Sequence, residues 1–386
     1  MKVIYLYPTM HNAGGIERVL TVKLNYLADI LNYEIVLVNY RQRKRNNFFN
    51  LSPKIKQIDL ELEDPTFLDK KKYSSKELRK INTTFSHILR QKISNILFEE
   101  NADYTVSAIS GKEFNFLYSI KDKSKKILEY HFTYTVSKLY SLKKNANFKS
   151  LSGIKNYFYY RKELEKYKSY KNLIVLTEKD KQFWNQELDN VITINNPITL
   201  LSEDTSPLTE KKVIALGRLT HQKGYDYLLK IWKKVFYDFP DWTLDIYGDG
   251  ELKEFLEEEM IKMNLKNVNI YPPSKDVENI YLNSSIFVLP SRFEGLPLVL
   301  MESMHYGLPS VAFDCNCGPS DLIDQEQTGF LIPLGDIDSF AEKLAILMSN
   351  PKLLTEMGEK AQNKSKKYSL DLVMKTWDNY FKNNSL

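Results

Sequence analysis

The sequence predicts an α/β protein of two doubly wound, Rossmann-like domains, and three observations carry this. The chain has 386 residues, too long for one ordinary domain and about right for two. In both halves, short apolar runs bounded by turn residues alternate with amphipathic runs of helical period, the pattern of a parallel sheet with crossover helices. Between the halves, residues 196–212 hold two prolines, Ser, Thr and acidic residues without apolar periodicity, and read as a linker.

The first half opens with a strand over 3–7, a glycine turn (Asn12-Ala13-Gly14-Gly15), a helix over 16–31 and a second strand over 34–39. Further strands fit 104–108, 126–131 and 172–177, and the Lys/Tyr-rich stretch 134–170 is helical in its second part. In the second half, strands fit 213–217, 243–248, 268–271, 286–290, 310–314 and 329–332, and helices fit 225–239, 251–263, 277–283, 297–306 and 337–349. Ligands of such sheets sit at the C-terminal strand ends, and two such domains facing each other predict a cleft as the binding site.

Composition narrows the class. Hydrophobic residues make up 43% and charged residues 27%, enough for a sizeable core in each domain. No run approaches the roughly 18 apolar residues of a membrane-spanning helix. The N-terminus enters a strand-like segment without a small-residue cleavage site, so no signal peptide is expected. Cys315 and Cys317, the only cysteines, suit neither a disulfide framework nor a zinc knuckle. A cytoplasmic location follows as the expectation.

The charge is divided. Residues 1–195 carry 34 Lys and Arg against 21 acids, whereas 196–386 carry 20 against 28. The basic half therefore invites an anionic partner; two separately solvated halves are the plainer reading. Its basic stretches are 41–45, Lys70-Lys71-Lys72, and 121–171, where Tyr134, Tyr140, Tyr157, Phe158, Tyr159 and Tyr160 are interleaved. Such a stretch suits peripheral contact with an anionic membrane; a solvated helix face with a tyrosine core side is the bland reading. No RNA-binding module accompanies it, so nucleic acid is not expected.

Two segments carry the chemistry. In Glu294-Gly-Leu-Pro-Leu-Val-Leu-Met-Glu302, two carboxylates flank a helix start whose free N–H groups suit a phosphate. The carboxylates could take sugar hydroxyls on either side, as a nucleotide sugar would require. In Gly217-Arg-Leu-Thr-His-Gln-Lys-Gly224, Arg218 and Lys223 emerge at a strand end, where a guanidinium fork and a compact ammonium suit a diphosphate. The plainer readings are caps in the first segment and a solvated turn in the second.

Together these segments resemble retaining glycosyltransferases of the group 1 type, family 4, with the two-Rossmann-domain GT-B architecture. The N-terminal Gly14-Gly-Ile-Glu-Arg18 and the later Thr328-Gly-Phe-Leu331 match as well, and Cys317-Gly-Pro-Ser-Asp321 resembles transferases that build bacterial capsule, lipopolysaccharide and lipid-linked oligosaccharide. The resemblance implies an acceptor-binding domain over 1–197, a donor-binding domain over 198–367, and a helix over 368–386 packing back on the first. It implies that Glu302 binds the ribose and Glu294 the donor sugar, while the backbone of Gly295, Leu296, Leu298 and Val299 cups the distal phosphate. Arg218 and Lys223 would stabilise the departing diphosphate. Gly14 and Gly15 would admit the donor close to the backbone, and His131, at a strand end, would orient or polarise the reacting groups.

The implied reaction moves a hexose or N-acetylhexosamine from a nucleotide diphosphate sugar, commonly UDP-linked, to a saccharide or lipid-linked acceptor, with retention. No cofactor and no metal are expected. Asp336-Ile-Asp338 spells D-x-D but reads as a helix cap, as does Asp249-Gly-Glu251. No G-x-G-x-x-G follows a strand, against a nicotinamide enzyme. An epimerase or phosphorylase on the same scaffold, and a non-catalytic glycan- or lipid-binding subunit, remain as alternatives.

Overall fold

The computed structural model describes residues 1–65, 72–108, 111–135, 151–200 and 202–383, with the side chains of all but 151–157. The chain divides into two compact units, Met1–Asn195 with Met374–Leu386, and Asn196–Val373.

Unit 1 is built on seven strands: β1 (Lys2–Tyr7), β2 (Glu34–Asn39), β3 (Lys56–Asp59), β4 (Tyr104–Ser107), β5 (Lys125–Glu129), β6 (Asn172–Val175) and β7 (Val191–Thr193). All pairings are parallel, in the order β3-β2-β1-β4-β5-β6-β7. The direction of winding reverses between β1 and β4, so the crevice for a ligand opens beyond their C-terminal ends. Strand β1 is buried along nearly its whole length, as a strand covered on both faces must be. The helices here are α1 (Gly15–Asp29), α2 (Ser75–Glu100), α3 (Leu151–Lys168) and α4 (Glu178–Trp184). Trp184 anchors one side of the core against Tyr130, Tyr134 and Tyr167.

Unit 2 has six parallel strands: β8 (Lys212–Leu216), β9 (Thr243–Tyr247), β10 (Val268–Tyr271), β11 (Ile286–Leu289), β12 (Ser310–Asp314) and β13 (Gly329–Pro333). Their order is β10-β9-β8-β11-β12-β13, which places the reversal between β8 and β11. Its helices are α5 (Tyr225–Val235), α6 (Lys253–Lys262), α7 (Val277–Leu282), α8 (Leu298–His305), α9 (Pro319–Leu322), α10 (Ile337–Ser349) and α11 (Pro351–Ser365). Trp232, Phe313 and Phe340 are fully buried in its core. The last helix, α12 (Leu370–Asn383), carries Trp377 and Phe381 into unit 1. There Tyr104 Oη donates to the Phe381 carbonyl at 2.8 Å, and Tyr33 Oη donates to Asp378 at 2.6 Å.

Several elements differ from the sequence reading. The 26-residue α2 went unread because its buried residues Phe85, Leu89, Ile93 and Leu97 form a single file on a polar helix; its capping box at Ser74 and Glu77 was the available signal. Helix α5 stops at Val235 rather than 239, because Pro240 follows and the turn at Asp238 and Phe239 returns to the Val235 carbonyl. Asp249 does not cap α6, whose N-cap is Leu252 without a side-chain bond. Asp336 does cap α10, accepting from Ser339 N, while Asp338 pairs with Lys234. The segment 196–212 is not a free linker. Ile198 N donates to the Tyr368 carbonyl, and Ser206 bonds both Tyr306 and Ser284, so the strip lies on unit 2.

The basic stretches are also less free than their composition implies. Arg41 pairs with Asp64 at 3.4 Å, Arg43 with Glu63 at 3.0 Å and Lys44 with Glu61 at 3.2 Å. Lys126 is buried against Asp122, and Tyr134 and Tyr160 belong to the core, while Phe158 and Tyr159 on α3 are exposed. Lys70, Lys71, Tyr140 and the side chain of Tyr157 lie outside the described residues.

Candidate functional site

The two chemistry-bearing segments follow the two strands that flank the reversal in unit 2. Strand β8 runs into Gly217, Arg218 and a short turn over His221–Lys223. Strand β11 runs through residues 290–297 into α8. Sheet topology alone therefore sets Lys223 and Glu294 side by side, although they lie 71 positions apart.

The two loops are stitched together by polar contacts. Arg292 N donates to the Gln222 carbonyl at 2.8 Å, and Gln222 Nε2 donates to the Phe293 carbonyl at 3.0 Å. The Arg292 guanidinium grips Asp226 with two bonds of 2.8 and 2.7 Å, donates to the His221 carbonyl, and lies 4.0 Å over the Tyr227 ring. Burial pushes the Asp226 carboxyl up, but Arg292 outweighs it and holds the group below its ordinary value. Such a forked pair is directional as well as strong. Its work here is to fix one loop against the other.

Two glycines let the loops approach. Gly224 has φ +67, and a Cβ there would stand 2.0 Å from the Pro290 carbonyl oxygen at the end of β11. Gly318, at φ +90, packs on the other side, where a Cβ would stand 2.1 Å from the Gly295 carbonyl oxygen. The peptide at Gly295 is thus supported from the β12–α9 loop while Lys223 is held from the β8–α5 loop.

Within this frame Lys223 Nζ lies 2.7 Å from Glu294 Oε1, with side chains only 15% and 7% exposed. Arg218 is exposed and makes no ion pair among the described residues. The start of α8 follows at Pro297; among the described residues no side chain caps it, and Leu300 N already donates to the Pro297 carbonyl, so the amides of Leu298 and Val299 are the donors left for a ligand, with the positive dipole end behind them. Gly295, Leu298 and Val299 are half-buried there, while the Leu296 side chain is in the core. Glu302, one turn into α8, is buried; Tyr281 Oη donates to its Oε2 at 3.0 Å and Thr199 Oγ1 to its Oε1 at a long 3.5 Å. Cys315 lies beside Glu294, and burial, reinforced by that carboxylate, pushes its thiol up to about 12. A pocket of about 490 Å³ lined by Lys212, Tyr247, Asn279 and Asn283 contains none of these residues.

In unit 1 the remaining candidates lie at the corresponding strand ends. Gly14 is the N-cap of α1 in extended backbone, and the space beside it is filled by Glu17, whose Oε2 would stand 2.1 Å from an added Cβ. Asn12 Nδ2 donates to the same carboxylate. The glycine is therefore explained by this chain's own Glu17 folding back under the turn. Gly15 is the first residue of α1. His131 follows β5, with its side chain 2% exposed and Nε2 3.3 Å from Glu129 Oε1. Glu129 pairs in turn with Lys23 of α1, which is 1% exposed. Sequence reading missed Lys23 and Glu129, though Lys23 shares the apolar face of α1 with Leu20, Leu24 and Leu27 at helical spacing. Among the described residues no group of three or more His, Cys, Asp or Glu could hold a metal ion.

Residues 200–364 match the family model described as glycosyl transferases group 1. The chain is 37% identical over 209 residues to an uncharacterized glycosyltransferase of Haemophilus influenzae, covering 53% of this chain and 59% of that protein. It is 34% identical over 216 residues to the amylovoran biosynthesis glycosyltransferase AmsD of Erwinia amylovora, with 53% and 60% covered. The chain thus spans about three fifths of the length of these curated relatives. TarM of S. aureus, solved with fondaparinux, alpha-GlcNAc-glycerol and UDP, aligns at a TM-score of 0.75 and 18% identity over 98% of this chain and 99% of its own. That likeness shows the fold, which is the GT-B fold.

Proposed function

Starting from a second unit that carries a group 1 glycosyl transferase match over residues 200–364, we propose that this chain transfers a hexose or N-acetylhexosamine from a nucleotide diphosphate sugar, UDP-linked, to a saccharide or lipid-linked saccharide acceptor. The reaction retains the anomeric configuration, needs no metal and serves surface glycan assembly in the cytoplasm. The observation that carries the reading is the Lys223–Glu294 pair at 2.7 Å, set beside the uncapped start of α8.

In this proposal the α8 amides and Arg218 hold the diphosphate. Lys223 has three donors, so it can keep Glu294 while giving another to a phosphate oxygen. Charge grows on the diphosphate as the glycosidic bond breaks, and fixed cations facing it there lower the barrier. Glu294, oriented by Lys223, accepts from hydroxyls of the sugar ring. The ribose hydroxyls take Glu302 Oε1, where the Thr199 contact is long enough to be displaced. The first unit holds the acceptor, and His131 meets a sugar hydroxyl.

Calorimetric titration with UDP, GDP and ADP tests the donor half. UDP is expected to bind, and binding to be lost in Glu302→Ala; heat with none of the three, or equal heat with all, would defeat the assignment. A peripheral membrane contact is proposed to run through the α3 face carrying exposed Phe158, Tyr159 and Lys162, with Arg161 beside Glu187 at 3.9 Å, since Arg41, Arg43 and Lys44 are already paired with acids. Co-sedimentation with vesicles containing phosphatidylserine should exceed that with phosphatidylcholine alone and should fall with salt. Equal binding to both would remove the contact.

A further inference from the structure

Unit 1 holds a buried charge cluster that the proposed transfer leaves unused. The Lys23 ammonium is paired with Glu129 at the end of β5, and it also lies 4.3 Å over the Trp377 ring of α12 and 4.9 Å over the Tyr5 ring of β1. A lysine at 1% exposure is rare unless paired. Burial pushes the Glu129 carboxyl up, yet Lys23 and His131 together hold it down at about 2, so it is a carboxylate. A buried ion pair adds little net stability over a well-packed apolar pair, which leaves its purpose open.

The second carboxylate oxygen supplies one. Glu129 Oε1 lies 3.3 Å from His131 Nε2, and neither ring nitrogen of this buried histidine makes a hydrogen bond of ordinary geometry among the described residues, so the carboxylate acts on the nearer nitrogen by its charge. A carboxylate so close to one ring nitrogen favours the tautomer with the proton on that nitrogen. The other nitrogen then keeps its lone pair. An orphaned acceptor in so buried a place is costly, and a ligand hydroxyl would relieve that cost.

We propose that Glu129, anchored by Lys23, is a positioning residue that holds His131 in the Nε2–H form, so that Nδ1 accepts a hydrogen bond from a sugar hydroxyl. His131 then acts as an acceptor in binding, with its proton kept on the far side of the ring. The sugar half of this rests on the function proposed above; the tautomer half rests on the geometry alone. Trp377 from α12 and Tyr5 from β1 flank the Lys23 ammonium, and neither supplies a competing cation.

The test is nitrogen NMR of the full chain labelled with [15N]histidine, in alkaline buffer. The His131 signals are assigned by their loss in His131→Gln. The wild type should show the Nε2–H pattern. Glu129→Gln strands the Lys23 charge and risks unfolding, so the decisive variant is Lys23→Met/Glu129→Gln, in which both charges go together. With its melting temperature near that of the wild type, this double variant should show averaged tautomers. In the release of UDP from UDP-glucose and UDP-N-acetylglucosamine, KM should rise roughly tenfold or more while kcat stays within about twofold. An Nδ1–H pattern in the wild type, or an unchanged His131 spectrum in the double variant, overturns the proposal. If the tautomer shifts as expected but His131→Gln turns over like the wild type, the sugar contact fails and the positioning of the ring stands.

Discussion

Lys223→Ala is expected to abolish UDP binding and to destabilise the second unit at the same time. The first loss is electrostatic. Removing one fixed donor aimed at developing negative charge typically costs on the order of 10²–10³ in kcat, about 3–4 kcal/mol, so sugar transfer falls together with UDP binding. The second loss comes from Glu294. Its side chain is 7% exposed and its Oε1 takes the Lys223 ammonium at 2.7 Å, so the variant leaves a buried carboxylate unpaired. Breaking a buried pair from one side costs about 3–5 kcal/mol, and the partial exposure of Lys223 places this case toward the lower end. A bare loss of activity therefore cannot be assigned to chemistry. Lys223→Met/Glu294→Gln separates the terms, because it removes both charges and keeps the volume. Its melting temperature should recover most of the difference from the wild type, while UDP titration and sugar transfer stay lost. Recovery of binding together with stability would mean that the pair is a structural clamp and that the diphosphate sits elsewhere.

The ease of reading this site from sequence follows from where its forces act. Strands β8 and β11 are apolar runs ended by Gly217 and Pro290, so their positions were legible, and so was the emergence of Lys223 and Glu294 at the same sheet end. Their direct pairing was not, because it depends on the side-by-side placement of β8 and β11, which no local pattern encodes. The Arg292–Asp226 fork lay hidden for the same reason: each residue alone resembles a solvated charge near a turn, and only the close approach at Gly224 brings them together. The Lys23–Glu129 pair was missed through a prior, since lysines on amphipathic helices are ordinarily solvated. Its placement among Leu20, Leu24 and Leu27 contradicted that prior and could have been followed. Edge strands β3 and β7, of four and three residues, are too short for alternation to show.

The close approach at Gly224 makes the second large prediction. Gly224→Ala is expected to cost about 2–5 kcal/mol: roughly 1–2 for an L-residue at positive φ, and a further 1–3 or so for an overpacked contact, because the new Cβ would stand 2.0 Å from a backbone oxygen at Pro290. Backbone at a strand end cannot yield as a side-chain tip would, so the loop carrying Lys223 must lift from β11. Gly335 provides the control. It too has a positive φ, +87, but nothing lies within 4 Å of an added Cβ, so Gly335→Ala carries the conformational cost alone. Thermal melting of the two variants should differ by the packing cost. UDP affinity should fall more than tenfold, about 1.4 kcal/mol, in Gly224→Ala and stay unchanged in Gly335→Ala. If both variants lose the same stability and both keep the nucleotide, then the contact between Gly224 and Pro290 does not position Lys223. The loop would then be held by the polar contacts of Arg292 and Gln222, and Arg292→Met should produce the loss that Gly224→Ala did not.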